Sequence, residues 1–369
     1  MSDLTKRLPV ELWYYTFGYL HLGHIVHFSA TCKFSAKLAH RFILFRRRHL
    51  AARFFCELDI LFRLLYTCQA VISGSAALYV LQPLLATSWI PNDLDIYVSQ
   101  NNLRLLLAAL AIEGYHDVLT SAPHVKHYSC RHLHTTITLT CSHQTIEVIV
   151  SKDACSAISP IYLFHSTLLM NFLTHDAMCC SYPRLTLRGL SLIHPHFAHD
   201  TILNRASIDA LLKYHCWGFH YLCCYHIHHH FRCFKHTTRR LNDKSCMWVV
   251  TKSTPFAPHT CHDTYARLGI VNVLWHLGEL CTANSLSNFA SPSVCVLKDS
   301  EYTLLALSPS CLIGWLLSLA MPVSTKFSSP NLSMLLDIVS SYLTFAETTL
   351  YRWYVPNFLR PSRTFSLLQ

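Results

Sequence analysis

A chain of 369 residues with 51% apolar and 12% aromatic content can bury substantial cores and is too hydrophobic for a disordered class. Only 14% of its residues are charged, where soluble domains average roughly 25%. The +10 formal balance, 30 Lys and Arg against 20 Asp and Glu, permits an anionic partner such as nucleic acid without indicating one. The opening MSDLTKRLPVELW has no apolar run of secretory length behind its positive charges. The chain is therefore expected to be cytoplasmic or nuclear, and its 17 cysteines to be reduced thiols rather than a disulfide framework.

From residue 8 to residue 48, Leu12, Phe17, Leu20, Ile25, Phe28, Cys32, Phe34 and Leu38 recur at irregular helical spacings, which predicts several short helices rather than one long one. Pro9 suits a first helical turn, where its missing N–H costs nothing, and Ser29 to Thr31 suit a break or cap. Leu8-Pro9-Val10-Glu11-Leu12, then Phe17 and Leu20, then Ser29-x-Thr31-Cys32-Lys33-Phe34 with Leu38 give this stretch an order that resembles the F-box. The resemblance implies a small three-helix module docking on the Skp adaptor of cullin-based ubiquitin ligases through Leu8, Pro9, Leu12, Phe17 and Leu20. The run Arg46-Arg47-Arg48, with Arg41 and Arg53 nearby, reads as a solvated helix end in preference to a nucleic-acid patch.

Phe54, Leu58, Leu61 and Leu65 fall on one stripe of a further helix. Residues 70–73, AVIS, form a short apolar strand that Gly74-Ser75 ends before a helix from Ala76 to about Leu85. Such a turn exposes N–H groups at a helix start, which favour an anion such as phosphate. Residues 82–91 read as a surface excursion leading to DLDIYV, residues 93–98. Strand alternation puts Asp93, Asp95 and Tyr97 on one face, with the two carboxylates roughly 6.5–7 Å apart at Cα. Two like charges so placed repel, and a bound divalent cation would relieve them. Two β-branched runs, 135–140 and 145–150, predict a hairpin whose second strand carries Glu147, a carboxylate among apolar neighbours.

Strand, Gly74-Ser75, helix, strand with Asp93-x-Asp95, and later strand with Glu147 together resemble the nucleotidyltransferase fold of the polymerase-beta-like superfamily over residues 70–175. The resemblance implies Gly74 and Ser75 as contacts to a nucleoside triphosphate and Asp93 and Asp95 as magnesium ligands. It also implies Glu147 as the third carboxylate, helping to activate an acceptor hydroxyl. Seventeen residues separate Ser75 from Asp93, a longer gap than that family usually has, and no set of Lys, Arg or Asn for nucleotide recognition follows. Phe164-His165-Ser166-Thr167, Met170-Asn171, and Tyr182-Pro183 with Thr186 extend the likeness to fungal proteins of unknown activity. Those proteins pair an F-box-like segment with such a domain. Ile161 to Met178 reads as a buried helix with Leu168, Leu169, Phe172 and Leu173 on its core face.

Residues 204–219 read as a helix with Ser207 near its start and Gly218 near its stop, and RRLNDKSCMWVV as the return strand of a hairpin. Between them, residues 213–236 hold seven histidines and four cysteines but offer no tetrahedral partition, so a loop or hairpin of biased composition is expected rather than a zinc module. Helices are expected at about 265–282, 310–321 and 333–349. Thr303 to Thr325 carries no charge over 23 residues, but Pro309 and Pro322 leave a helical core of about a dozen, short for a bilayer, so no membrane span is expected.

The expected fold is α+β: an F-box-like helical module (1–50), a nucleotidyltransferase-like mixed sheet with flanking helices (51–200), and a His/Cys-rich hairpin with a helical tail of few signals (201–369). The expected function is an F-box-type adaptor whose nucleotidyltransferase-like domain is a pseudoenzyme binding a nucleotide or a target protein. The alternative is an active magnesium-dependent nucleotidyltransferase acting on a hydroxyl acceptor.

Overall fold

The fold was determined as a computed structural model that describes residues 8–117, 133–152, 156–193, 205–222, 239–241, 243, 245–251, 273–275 and 294–296. Three helices open it: α1 (Val10–Gly18), α2 (Leu22–Ser29) and α3 (Lys33–Ala51). Pro9 stands at the N-cap of α1, just before the first turn. Their breaks lie where short polar side chains bind the backbone. The hydroxyls of Ser29 and Thr31 donate to the carbonyls of Val26 and Phe28, and Cys32 Sγ accepts from the Ser35 amide to start α3. The Phe17 ring packs against Phe28 and Phe42 at 5.2 and 5.3 Å, edge to face, which anchors α1 on its two successors.

Helix α4 (Leu58–Thr67) leads into β1 (Val71–Ser73), α5 (Gly74–Leu81) and β2 (Asp93–Ser99). Phe54 precedes α4, and α5 stops at Leu81, four residues short of the expected end, because Pro83 disfavours helical geometry just before it. After α6 (Leu103–Ile112) come β3 (His116–Asp117), β4 (Leu133–Cys141) and β5 (Gln144–Ser151). The hairpin of β4 and β5 is as expected, with Ser142 at φ +55° in its tight turn.

The segment 161–178 is not a helix. It forms two short 3₁₀ turns, Ser159–Leu163 and Thr167–Leu169, followed by strands β6 (Asn171–Leu173) and β7 (Ala177–Cys180). Helix α7 (Pro183–Thr186), β8 (Leu190–Leu192), α8 (Arg205–Cys216) and β9 (His220–Leu222) follow. Gly218, at φ +88°, sits just past the end of α8. Strands β10 (Arg239–Arg240), β11 (Met247–Val250), β12 (Val273–Trp275) and β13 (Val294–Val296) complete the described chain. The expected return strand is not half of a local hairpin: β11 pairs with β7, and β10 with β12. Strand β12 also falls where the helix 265–282 was expected. Residues 223–236, the apolar stretch 303–325 and the helices expected at 310–321 and 333–349 lie outside the described residues.

Helices and a mixed sheet make the fold α+β. The main sheet has the order β11-β7-β6-β1-β2-β5-β4-β3 and is antiparallel except at β2–β5. One apolar core runs from Phe17, Leu22 and Ile25 through Leu78 and Ile96 to Val148 and Phe172. Its charged content corrects the reading of the arginine run. Arg48 is exposed, whereas Arg46 and Arg47 are 0% and 1% exposed. Arg46 donates to the carbonyls of Val80, Phe17 and Leu20, and Arg47 to those of Thr174 and His175 and to the Thr251 hydroxyl. Their planes also lie over Phe42 and Phe62, at 5.1 and 4.6 Å. Burial holds both guanidiniums below their ordinary range, at about 9 and about 10. Among the described residues no helix is long and apolar enough to cross a membrane.

Candidate functional site

The site is assembled by the parallel pair β2–β5 of the main sheet. In that pairing Asp93 is level with Thr145 and Asp95 with Glu147, so the two strands present their carboxylates at the same end and on the same face. Leu94 and Ile96 on β2, and Ile146 and Val148 on β5, are 0% exposed on the other face. The alternation that buries these four side chains is what turns Asp93, Asp95 and Glu147 outward, where all three are partly buried.

On the opposite side of β2, antiparallel pairing sets Ser73 against Asp95, and the chain turns at once into α5. Gly74 makes that turn at φ +65°, and a Cβ there would overlap the Asp95 carboxylate. Only glycine combines the left-handed backbone with room for that oxygen. Ser73 is fully buried, its hydroxyl donating to the Asn171 carbonyl at 2.5 Å, which ties β1 to β6. The Ser75 hydroxyl donates to Asp93 Oδ1 at 3.2 Å. The glycine–serine turn therefore touches both aspartates.

Burial first, then Asp93 and then Glu147 push the Asp95 carboxyl well above the usual carboxylate range, and Lys213 on α8 opposes them. The donor set is all oxygen and anionic, the chemistry a magnesium ion prefers. The backbone fits such an ion: Asp95 and Glu147 are in register on neighbouring strands, about 4.8 Å apart. The side chains are less convergent, since among the described residues no three His, Cys, Asp or Glu groups are gathered closely enough to hold a metal. Asp93 is held by Ser75 and Asp95 lies against Gly74, so ligation by all three would require the carboxylates to turn.

Of the residues expected to meet a partner, Leu8 and Leu12 are 47% and 51% exposed, Pro9 is exposed and Leu20 partly buried. Phe17 is 1% exposed and belongs to the aromatic core of the three helices. The sequence reading missed Lys213 and a pair of tryptophans beside it. Trp89, expected in a surface excursion, is buried and stacks on Trp217 at 4.1 Å and 5°. The available signal was Lys213 and Trp217 one helical turn apart, in a segment that its histidines and cysteines dominate. No family model, no curated protein and no solved structure matches the chain.

Proposed function

We propose that the protein is an F-box-type adaptor whose nucleotidyltransferase-like domain binds a magnesium-complexed nucleoside triphosphate without turning it over. The observation that carries this reading is the β2–β5 register, which aligns Asp95 with Glu147 beside a glycine–serine turn touching both aspartates. Asp93, Asp95 and Glu147 would hold the metal, which would neutralise phosphate charge. The start of α5 would supply N–H groups to the phosphates. Holding one ion would require the Asp93 and Asp95 carboxylates to turn from Ser75 and Gly74, and two-metal displacement would require them to converge further, on ions only about 4 Å apart.

Thermal unfolding with and without magnesium-ATP tests this. A ligand that binds only the folded state at 100 times its Kd adds about 2.7 kcal/mol. The wild type should therefore melt higher with magnesium-ATP than with either component alone, and Asp95→Asn should lose the increment. A wild type indifferent to millimolar magnesium-ATP removes the reading. Pyrophosphate release abolished by Glu147→Gln would make the domain an active nucleotidyltransferase instead.

The adaptor half is supported by the exposed apolar side chains of Leu8, Val10 and Leu12 at the start of α1. A purified Skp adaptor should retain the wild type and lose Leu12→Asp by tenfold or more, since a charge must then be desolvated at the contact. Retention unchanged in Pro9→Ser with Leu12→Asp would sink it. Because Phe17 is inside the core, Phe17→Ala should act through folding rather than through a lost contact.

A further inference from the structure

Helix α6 is apolar on both of its faces. Leu106 and Leu110 are 0% exposed on the inner one, and the helix packs on β2. A surface helix ordinarily turns charged and polar side chains outward. The outer face of α6 instead carries Leu105, 48% exposed, and Ile112, 84% exposed, together with exposed Ala108 and Ala111, and Arg104 is its one charged side chain. Leu105, Ala108 and Ile112 stand at i, i+3 and i+7, the spacing of a seam between two helices, and the alanine in the middle lets a second backbone come close. The charges at the two ends oppose the helix's own dipole. Arg104 lies in the first turn, at the positive end, with no acidic residue beside it there, and Glu113 lies at the C-cap, by the negative end, with no basic residue in the last turn. A second α6 running the opposite way corrects both.

We propose that the outer face of α6 is a self-association surface, on which a second copy of this chain lays its own α6 antiparallel across a twofold axis beside Ala108. A twofold contact joins the same patch on both copies, so every pairing occurs twice. Leu105 of each copy meets Ile112 of the other, and Arg104 of each copy reaches the C-terminal end of the other helix, where Glu113 stands. The pattern is self-complementary in charge as well as in apolar surface. A helix of this length spans only about 15 Å, so the contact is smaller than the roughly 1,200 Å² of a stable complex and the dimer is a weak one, with a dissociation constant of roughly 10–100 μM. The inference depends on neither the metal-binding nor the adaptor reading.

Sedimentation velocity of the full chain over about 1–200 μM brackets that constant and tests the proposal. The wild type should pass from monomer to dimer across the range. Ile112→Glu, at a position the monomer leaves in water, should raise the dissociation constant by about tenfold or more with the circular dichroism unchanged, since two charges must then be desolvated at the contact. Arg104→Glu should raise it roughly tenfold, because two attractions become two repulsions, and adding Glu113→Arg should recover most of that loss. A chain that stays monomeric throughout would overturn the proposal. If that monomer bound vesicles of phosphatidylcholine and phosphatidylserine, and Ile112→Glu did not, the face would belong to a membrane instead. A dimer indifferent to both Ile112→Glu and Leu105→Glu would put the contact elsewhere and overturn the proposal as well. A double charge exchange no better than Arg104→Glu alone would overturn the antiparallel order.

Discussion

Gly74 shows how much a single backbone position decides. Its φ of +65° is a conformation that costs an L-residue roughly 1–2 kcal/mol, and the volume a side chain would take is filled by the Asp95 carboxylate. Gly74→Ala should therefore destabilise by about 2–4 kcal/mol in urea unfolding, strain and displacement combined. Combining it with Asp95→Ala should recover the displacement part and leave the backbone part, so the two changes should be strongly non-additive. The glycine–serine turn was legible in the sequence because a short apolar run stopped abruptly. Its reason was less so: the N–H groups of the turn point to an anion such as phosphate, and the nearest group to Gly74 proves to be a carboxylate twenty-one positions along the chain. Nothing local to SGS encodes that neighbour, whereas the facing of Asp93 with Asp95 follows from strand periodicity alone.

Among the elements, those with an unambiguous period were readable and those buried on every side were not. Strands β4 and β5 alternate, carry β-branched residues and flank the polar pair Ser142-His143, so their hairpin follows directly. Residues 161–178 are buried throughout, and Leu168, Leu169, Phe172 and Leu173 satisfy helical spacing as well as they satisfy a buried strand. Side-chain hydrogen bonds decide the contest. The Asn171 amide donates to the Leu168 carbonyl at 2.6 Å, Thr167 Oγ1 accepts from the Leu192 amide at 2.9 Å, and Thr174 Oγ1 accepts from the Ala177 amide at 2.9 Å to close the turn between β6 and β7. Each offers the backbone a partner other than its own helix, the mechanism by which Thr and Asn favour turns. The same limit hid the pairing of β11 with β7, since the partner of a strand is set by the sheet and not by the loop before it. The acidic site was accessible because it depends on alternation, and its lysine was not because it depends on where α8 packs.

Across the whole molecule, the N-terminal helices and the sheet share one core, and the arginine run is the clearest link between them. Three consecutive arginines at a helix end read as solvated charge, and for Arg48 that is so. Arg47 instead reaches the carbonyls of Thr174 and His175, in the turn between β6 and β7, and the hydroxyl of Thr251, just past the end of β11. These partners are 127, 128 and 204 residues away, so no local pattern in RRR announces them. A buried cation satisfied by carbonyls is expensive to interrupt, because its removal leaves acceptors desolvated and a void behind. Arg47→Ala should therefore lower stability by about 3–5 kcal/mol in urea unfolding, while Arg48→Ala stays within about 0.5 kcal/mol. The loss should also be shared. If Arg47 clamps α3 to the sheet edge, native-state hydrogen exchange in the variant should accelerate together in α3, β7 and β11, and acceleration confined to the helices would mean that the clamp holds only one side. A variant as stable as the wild type would place the guanidinium in water, and with it the boundary that the arginine run suggests.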